Sequence, residues 1–186
     1  MLSQYCYSKI PLIEDLLDVT KIQSGKLIMT EEYFDVNELI NEVVEETQHT
    51  TEKHTIIKKL ESTRTIFGNK ERIGQVLVNI LSNAIKYSPQ SNKIIVETKS
   101  DRHSVTISVQ DFGVGISEDK LQKVFEQFYR VSGPKQITFP GLGLGLYVSA
   151  EIVKRQGGSI WVESSKGNGS KFFVKLPKNR DKNITS

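Results

Sequence analysis

Apolar residues recur at helical spacing in four stretches of the chain and alternate with polar ones in five shorter runs. The first helical stretch covers residues 8–24, with Ile13, Leu16 and Leu17 as its apolar stripe and Glu14, Asp15 and Lys21 outside it. Pro11 suits its first turn, Ser8 is a candidate cap and Gly25 suits its stop. A second helix starts after Asp35, carried by Leu39, Ile40, Val43 and Val44, and the run Thr55–Leu60 then alternates like an edge strand. The longest clean helix is Lys70–Tyr87, closed by Pro89. Beyond it the period falls to two. Ile94 and Val96 mark one strand and Val105, Ile107 and Val109 the next, the two joined through residues 100–104, as in an antiparallel sheet with one covered face. A further helix follows Gly145. Two last strands carry Ile160 and Val162, then Phe172, Val174 and Leu176, with Lys166-Gly-Asn-Gly169 as the turn between them. Residues 178–186 are polar and expected to fray. Helices and a mostly antiparallel sheet in mixed order predict an α+β two-layer sandwich.

Composition narrows the function. With 186 residues, one domain plus a helical appendage is expected, and 37% hydrophobic residues suffice for a real core, which excludes wholesale disorder. The net charge of +3 comes without a block of like charge, so a dedicated nucleic-acid binder is not indicated. Cys6 is the single cysteine, which excludes a disulfide scaffold and a cysteine zinc site and fits a reducing compartment. No apolar run approaches the roughly 20 residues that span a bilayer, and Met1 opens no signal-peptide pattern. A soluble, cytoplasmic chain is the expectation.

Three motifs carry candidate chemistry. On the long helix, Ile73, Val76, Leu77, Ile80, Leu81, Ala84 and Ile85 build the apolar face, while Asn79, Asn83 and Lys86 stack as a separate polar stripe with Tyr87 beside it. A solvated face is the plain alternative, yet asparagine is a poor helix former where Glu, Lys or Gln would serve. Two amide oxygens and an ammonium suit a hydrated Mg²⁺ and the phosphates it bridges. Second, Asp111-Phe-Gly-Val-Gly115 follows a strand, where a carboxylate accepts from an exocyclic amine and glycines admit a ligand; an ordinary strand-to-loop turn is the alternative. Third, Gly141-Leu-Gly-Leu-Gly-Leu146 runs into a helix and exposes backbone N–H groups where phosphate is favoured, unless it is only a hinge. The breaker-rich stretch 132–140 before it reads as a mobile lid, led by the aromatic patch Phe125, Phe128 and Tyr129. Arg130 at the lid's start either reaches a γ-phosphate or is a surface arginine.

Taken in order, Asn-x3-Asn-Ala-x-Lys-Tyr, Asp-x-Gly-x-Gly, Phe-x2-Phe-Tyr-Arg, Gly-Leu-Gly-Leu-Gly-Leu and Gly-x-Gly-Ser resemble the catalytic and ATP-binding domain of sensor histidine kinases. The boxes span Asn79 to Ser170. Upstream, Phe67-Gly-Asn-Lys-Glu-Arg-Ile-Gly-Gln-Val resembles the family's lead-in, and residues 12–25 resemble the end of its second dimerisation helix. The resemblance implies a Bergerat-type fold, a mixed, mostly antiparallel sheet covered on one face by about three helices, with an N-terminal helix added. It divides the chain into a dimerisation-helix remnant at 1–29, an ATP-binding catalytic domain at 30–178 and a polar tail at 179–186. It implies that Asn83, helped by Asn79, holds Mg²⁺; that Lys86 and Tyr87 contact phosphates and sugar; and that Asp111 reads the adenine amine. Gly113 and Gly115, with Ile116 next to them, would admit the base, and Ser170 would support Asp111 through its hydroxyl or a water. Gly141, Gly143 and Gly145, with Leu142, Leu144 and Leu146 between them, would cradle the phosphates. Asn79, Lys86 and Arg130 would act in phosphoryl transfer.

The sequence departs from the family in one respect. The family's phosphorylated histidine sits on a first dimerisation helix between an acid and Arg-Thr-Pro, whereas His49, His54 and His103 all lack those flanks. The expectation is a catalytic fragment that binds Mg·ATP and needs a His-bearing helix supplied in trans, with a response-regulator receiver domain as the downstream partner. The parent would be a homodimer and this chain a monomer or weak dimer, since the stripe of its first helix either folds onto the domain or pairs two chains. Two other readings of the same fold are a nucleotide-driven switch and a serine-directed anti-sigma kinase. Switch ATPases carry a Glu one turn before the Mg²⁺ asparagine, where this chain has Asn79, which cannot serve as a carboxylate base. The serine-directed branch has no reason to carry the first helix.

Overall fold

The computed structural model describes residues 10–62, 65–131 and 142–179, with side chains from residue 16 onward. In chain order the elements are α1 (Ile10–Gln23), β1 (Glu32–Phe34), α2 (Val36–Gln48), β2 (Thr55–Leu60), β3 (Ile66–Gly68), α3 (Lys70–Tyr87), β4 (Lys93–Ser100), β5 (Ser104–Gln110), α4 (Gly145–Arg155), β6 (Ser159–Ser164) and β7 (Ser170–Pro177). Two short 3₁₀ turns, Glu118–Lys120 and Lys123–Phe125, lie between β5 and α4. The expected stretch 132–140 and Gly141 lie outside the described residues.

Local chemistry sets the helix starts. The Asp35 carboxylate accepts from the Asn37 and Glu38 N–H groups at 2.7 and 3.2 Å and opens α2. Asn69 accepts from the Arg72 N–H at 2.7 Å and opens α3. The five-stranded sheet runs β2-β4-β5-β7-β6, with β2 joined parallel to β4 at the edge and every other pair antiparallel. Ile94 and Val96, Val105, Ile107 and Val109, and Phe172, Val174 and Leu176 are buried together with the apolar faces of α2, α3 and α4. The two-layer sandwich is the expected one. On the alternate positions of the strands, Trp161 and Phe173 stack with ring centroids 4.9 Å apart.

Two features go beyond the sequence pattern or against it. β1 and β3 form a separate antiparallel ribbon, closed by Tyr33 against Phe67 with centroids 4.9 Å apart. In α1 the buried face is Asp18, Val19 and Ile22, whereas Leu16 and Leu17 are 48% and 50% exposed. The expected stripe is therefore rotated, because a polar anchor overrides it. Arg72 Nη1 lies 2.7 Å from Asp18 Oδ2, Gln75 Nε2 donates to the same oxygen at 2.8 Å, and Arg155 Nη2 donates to the Ile22 carbonyl at 3.0 Å. The helix lies on the domain through this latch. Asp18→Ala, which strands Arg72, is expected to cost about 2 kcal/mol in urea unfolding and to speed proteolysis around residues 24–30.

Candidate functional site

Residues 70–87 bring Asn79, Asn83, Lys86 and Tyr87 to one side of α3 because the other side is consumed by the core. The Asn79 amide is fixed at both ends. Its Nδ2 donates to Ser149 Oγ on α4 at 2.9 Å, and its Oδ1 faces Gly145, where a Cβ would stand 2.3 Å away. A side chain at that position would have to displace the Asn79 amide from the start of α4. Asn83 Nδ2 reaches toward Asn79 Oδ1 at 3.5 Å, and among the described residues no protein donor meets Asn83 Oδ1. α4 opens at Gly145 with no side-chain cap, so its first N–H groups remain a ready anion site.

Lys86 and Tyr87 end the helix half-covered. Burial lowers the Lys86 ammonium below its ordinary value, with the nearby Arg130 guanidinium adding to the effect. Burial likewise raises the Tyr87 phenol, and Arg130 opposes that rise. The Lys86 Nζ stands 5.0 Å from the Tyr87 ring centroid. Arg130 thus shares a cationic corner with Lys86, next to the uncapped helix start.

Asp111 stands where β5 ends. It is 4% exposed, and among the described residues no cation pairs with it. Burial pushes its carboxyl above the usual carboxylate range, while the backbone N–H groups of Gly113 and Ser170 pull the other way. Gly113 N–H meets Asp111 Oδ1 at 2.8 Å. The next amide, Val114 N–H, donates to the Tyr87 carbonyl at 3.1 Å, so the loop is hung on the last turn of α3. A Cβ on Gly113 would lie 2.0 Å from that same carbonyl oxygen. Gly115 follows with φ +65°, a left-handed conformation.

Other residues expected at the site are placed as follows. Ile116 packs against the core and gives its N–H to Ser164 Oγ at 2.8 Å. Ser170 meets Asp111 through the backbone: its carbonyl accepts the Asp111 N–H at 2.9 Å, while its hydroxyl lies 3.0 Å from Ser164 Oγ. Leu144 is fully buried, Leu146 is half-buried against the core, and Leu142 is exposed. The Gly143 carbonyl accepts the Phe128 N–H at 3.1 Å, and Phe125 sits edge-on to Phe172 with centroids 6.4 Å apart. Sequence reasoning missed Ser149 and Ser164, which lie outside any glycine or asparagine motif. Ser149 meets Asn79 from 70 residues away, and Ser164 takes the Ile116 N–H from 48 residues away while donating to the Gly169 carbonyl at 2.7 Å. At the opposite end of β5 a shallow depression is lined by Asp101, His103, Gly157 and Lys175. Its Asp101 carboxylate is committed to the Ser104 hydroxyl and the His103 and Ser104 N–H groups, which hold it down to about 2.

Among the described residues no three His, Cys, Asp or Glu side chains cluster as a metal cage, and no helix is long and apolar enough to cross a membrane. Residues 68–180 match the family model described as histidine kinase-, DNA gyrase B-, and HSP90-like ATPase. The chain is 34% identical over 172 residues to the sensor protein kinase WalK of Staphylococcus saprophyticus, covering 90% of this chain and 28% of that protein. It is 32% identical over 172 residues to the sensor histidine kinase WalK of Bacillus subtilis, with the same coverage of both chains. The chain thus spans 28% of the length of these curated relatives. Among solved structures it is similar to the catalytic domain of the histidine kinase ThkA, with TM-score 0.69 and 29% identity over 82% of this chain and 100% of that one. It shares the fold of full-length ShkA, with TM-score 0.77 and 24% identity over 90% of this chain and 35% of that one.

Proposed function

Because the chain belongs to the histidine kinase-, DNA gyrase B-, and HSP90-like ATPase family, we propose that it is the ATP-binding catalytic domain of a two-component sensor histidine kinase, passing the γ-phosphate to a histidine on a dimerisation helix. The observation that carries the nucleotide reading is Asp111, a buried carboxylate that no cation pairs with among the described residues, backed by amides and bounded by a loop that glycine alone allows so close to α3. Such a group is costly unless a donor completes it, and the adenine N6 amine is such a donor.

Other residues follow from that placement. The uncapped start of α4, Lys86 and Arg130 neutralise the phosphates. Asn83, whose Oδ1 meets no protein donor among the described residues and whose Nδ2 reaches toward Asn79, would offer that amide oxygen to Mg²⁺, which fits a hard cation that keeps water and takes its remaining oxygens from phosphate. When bound, such an ion would supply charge neutralisation for phosphoryl transfer. Asn79, held by Ser149 and Gly145, has no basic atom to activate water, which favours retention of ATP until a protein nucleophile arrives over the switch reading. Both ring nitrogens of buried His54 are engaged by Ser88 and Thr51, so the phosphoacceptor is assigned to another segment. A receiver domain is the recipient in the two-component scheme, and α1 stands as the end of the second dimerisation helix.

Two measurements test this. Calorimetry is expected to show Mg·ATP binding and at least tenfold weaker Mg·GTP binding, because guanine presents an acceptor where adenine presents the amine. With γ-labelled ATP, the chain alone is expected to stay unlabelled and a supplied His-bearing dimerisation helix to acquire acid-labile phosphate. Equal affinity for the two purines would remove the role given to Asp111; label on His49 or His54 would remove the transfer in trans.

A further inference from the structure

We infer that His54, outside every nucleotide motif, is a positioning residue for the base-binding loop; this rests on the nucleotide reading above. The segment 53–55 clasps the turn that leaves α3. Lys53 Nζ donates to the Pro89 carbonyl, Thr55 N–H donates to the Asn92 carbonyl at 2.7 Å, and His54 Nε2 lies 3.0 Å from the Ser88 carbonyl. A carbonyl only accepts, so Nε2 carries the hydrogen, and Nδ1 stands 3.1 Å from Thr51 Oγ1. The imidazole is 4% exposed and Ser88 is fully buried. Gln48 fixes the loop that presents the ring: its Nε2 donates to the His54 carbonyl at 2.8 Å, and its Oε1 accepts the Ile56 N–H at 3.0 Å.

Ser88 caps α3 with φ −118° and ψ 55°, outside the helical region, and its carbonyl accepts the Ser91 N–H at 3.2 Å in the turn that follows. His54 supplies a second donor. The carbonyl immediately before it, of Tyr87, is the one from which Val114 hangs at 3.1 Å, and Gly113 beside it meets Asp111 at 2.8 Å. His54 therefore sets the orientation of the peptide next to the loop's anchor. An apolar side chain would fill the same space without the desolvation cost of two ring nitrogens, so what the imidazole adds is direction.

The test uses the full chain, a fluorescent ATP analogue and amide hydrogen exchange, below the onset of unfolding as followed by circular dichroism. His54→Leu is expected to weaken binding about tenfold and to speed exchange at Val114 about tenfold relative to β6 and β7, the loss of one buried hydrogen bond. His54→Gln, which keeps an N–H at similar reach, is expected to restore both to within about threefold. Unchanged Val114 exchange, a uniform rise across the sheet, or failure of Gln to restore either readout would overturn the inference. If His54→Leu does not fold, Thr51→Val decides: faster Val114 exchange supports the role and unchanged exchange refutes it. If the wild-type chain binds no nucleotide, the proposed function fails, and Val114 exchange still judges His54.

Discussion

Asp111→Asn is expected to weaken Mg·ATP binding about a hundredfold while raising the midpoint of thermal unfolding of the nucleotide-free chain. The two effects have one cause. Asp111 is buried, no cation pairs with it among the described residues, and burial raises its carboxyl above the usual carboxylate range. A group whose folded-state pKa is raised contributes stability below its unfolded pKa and loses that contribution as pH rises through the folded value. At neutral pH the ionised Asp111 therefore penalises the empty fold, and a neutral amide relieves it, its Oδ1 still able to accept the Gly113 N–H now found at 2.8 Å. Binding runs the other way. The adenine amine needs an acceptor, and an asparagine amide turned to keep Gly113 presents its own donors to that amine. In the wild-type chain the same shift makes nucleotide affinity fall on acidification, with its midpoint above that of an ordinary carboxylate. Thermal unfolding with and without nucleotide at several pH values measures both, and a variant that loses stability together with affinity would show Asp111 to be a structural acid only.

Much of this was legible in the chain, for reasons that differ by element. α2, α3 and the strands carrying Val96, Ile107 and Val174 follow from hydrophobic period, because each element buries one face against a single core. Asn79, Asn83, Lys86 and Asp111 follow from residue type and spacing, and the fold brings the ends of α3 and β5 together through the Val114–Tyr87 hydrogen bond. What was hidden depends on distant partners. The rotated face of α1 is set by Asp18 meeting Arg72 and Gln75, 54 and 57 residues later. The β1–β3 ribbon has three residues per strand, too few to show a period. His54 lies six residues past the end of α2, and its role rests on Ser88, 34 residues away.

The second large effect is expected at Gly113. A Cβ there would stand 2.0 Å from the Tyr87 carbonyl oxygen, 2.6 Å from its carbon and 2.8 Å from the Ser88 Cα, all backbone atoms that cannot swing aside. Gly113→Ala must push the loop off α3, which breaks the Val114–Tyr87 bond and carries the Gly113 N–H away from Asp111. The expected loss is about 3 kcal/mol or more in urea unfolding, with nucleotide binding lost as well. Gly167 provides the control: its φ is +86° and a Cβ would meet nothing within 4 Å, so Gly167→Ala carries only left-handed strain, about 1 kcal/mol. The contrast separates close approach from conformational freedom as the reason for glycine. Were the Gly113 variant to match the Gly167 variant in stability and still bind nucleotide, the loop would not be pressed on α3, and the route from His54 through Tyr87 to Asp111 would be cut at its middle step.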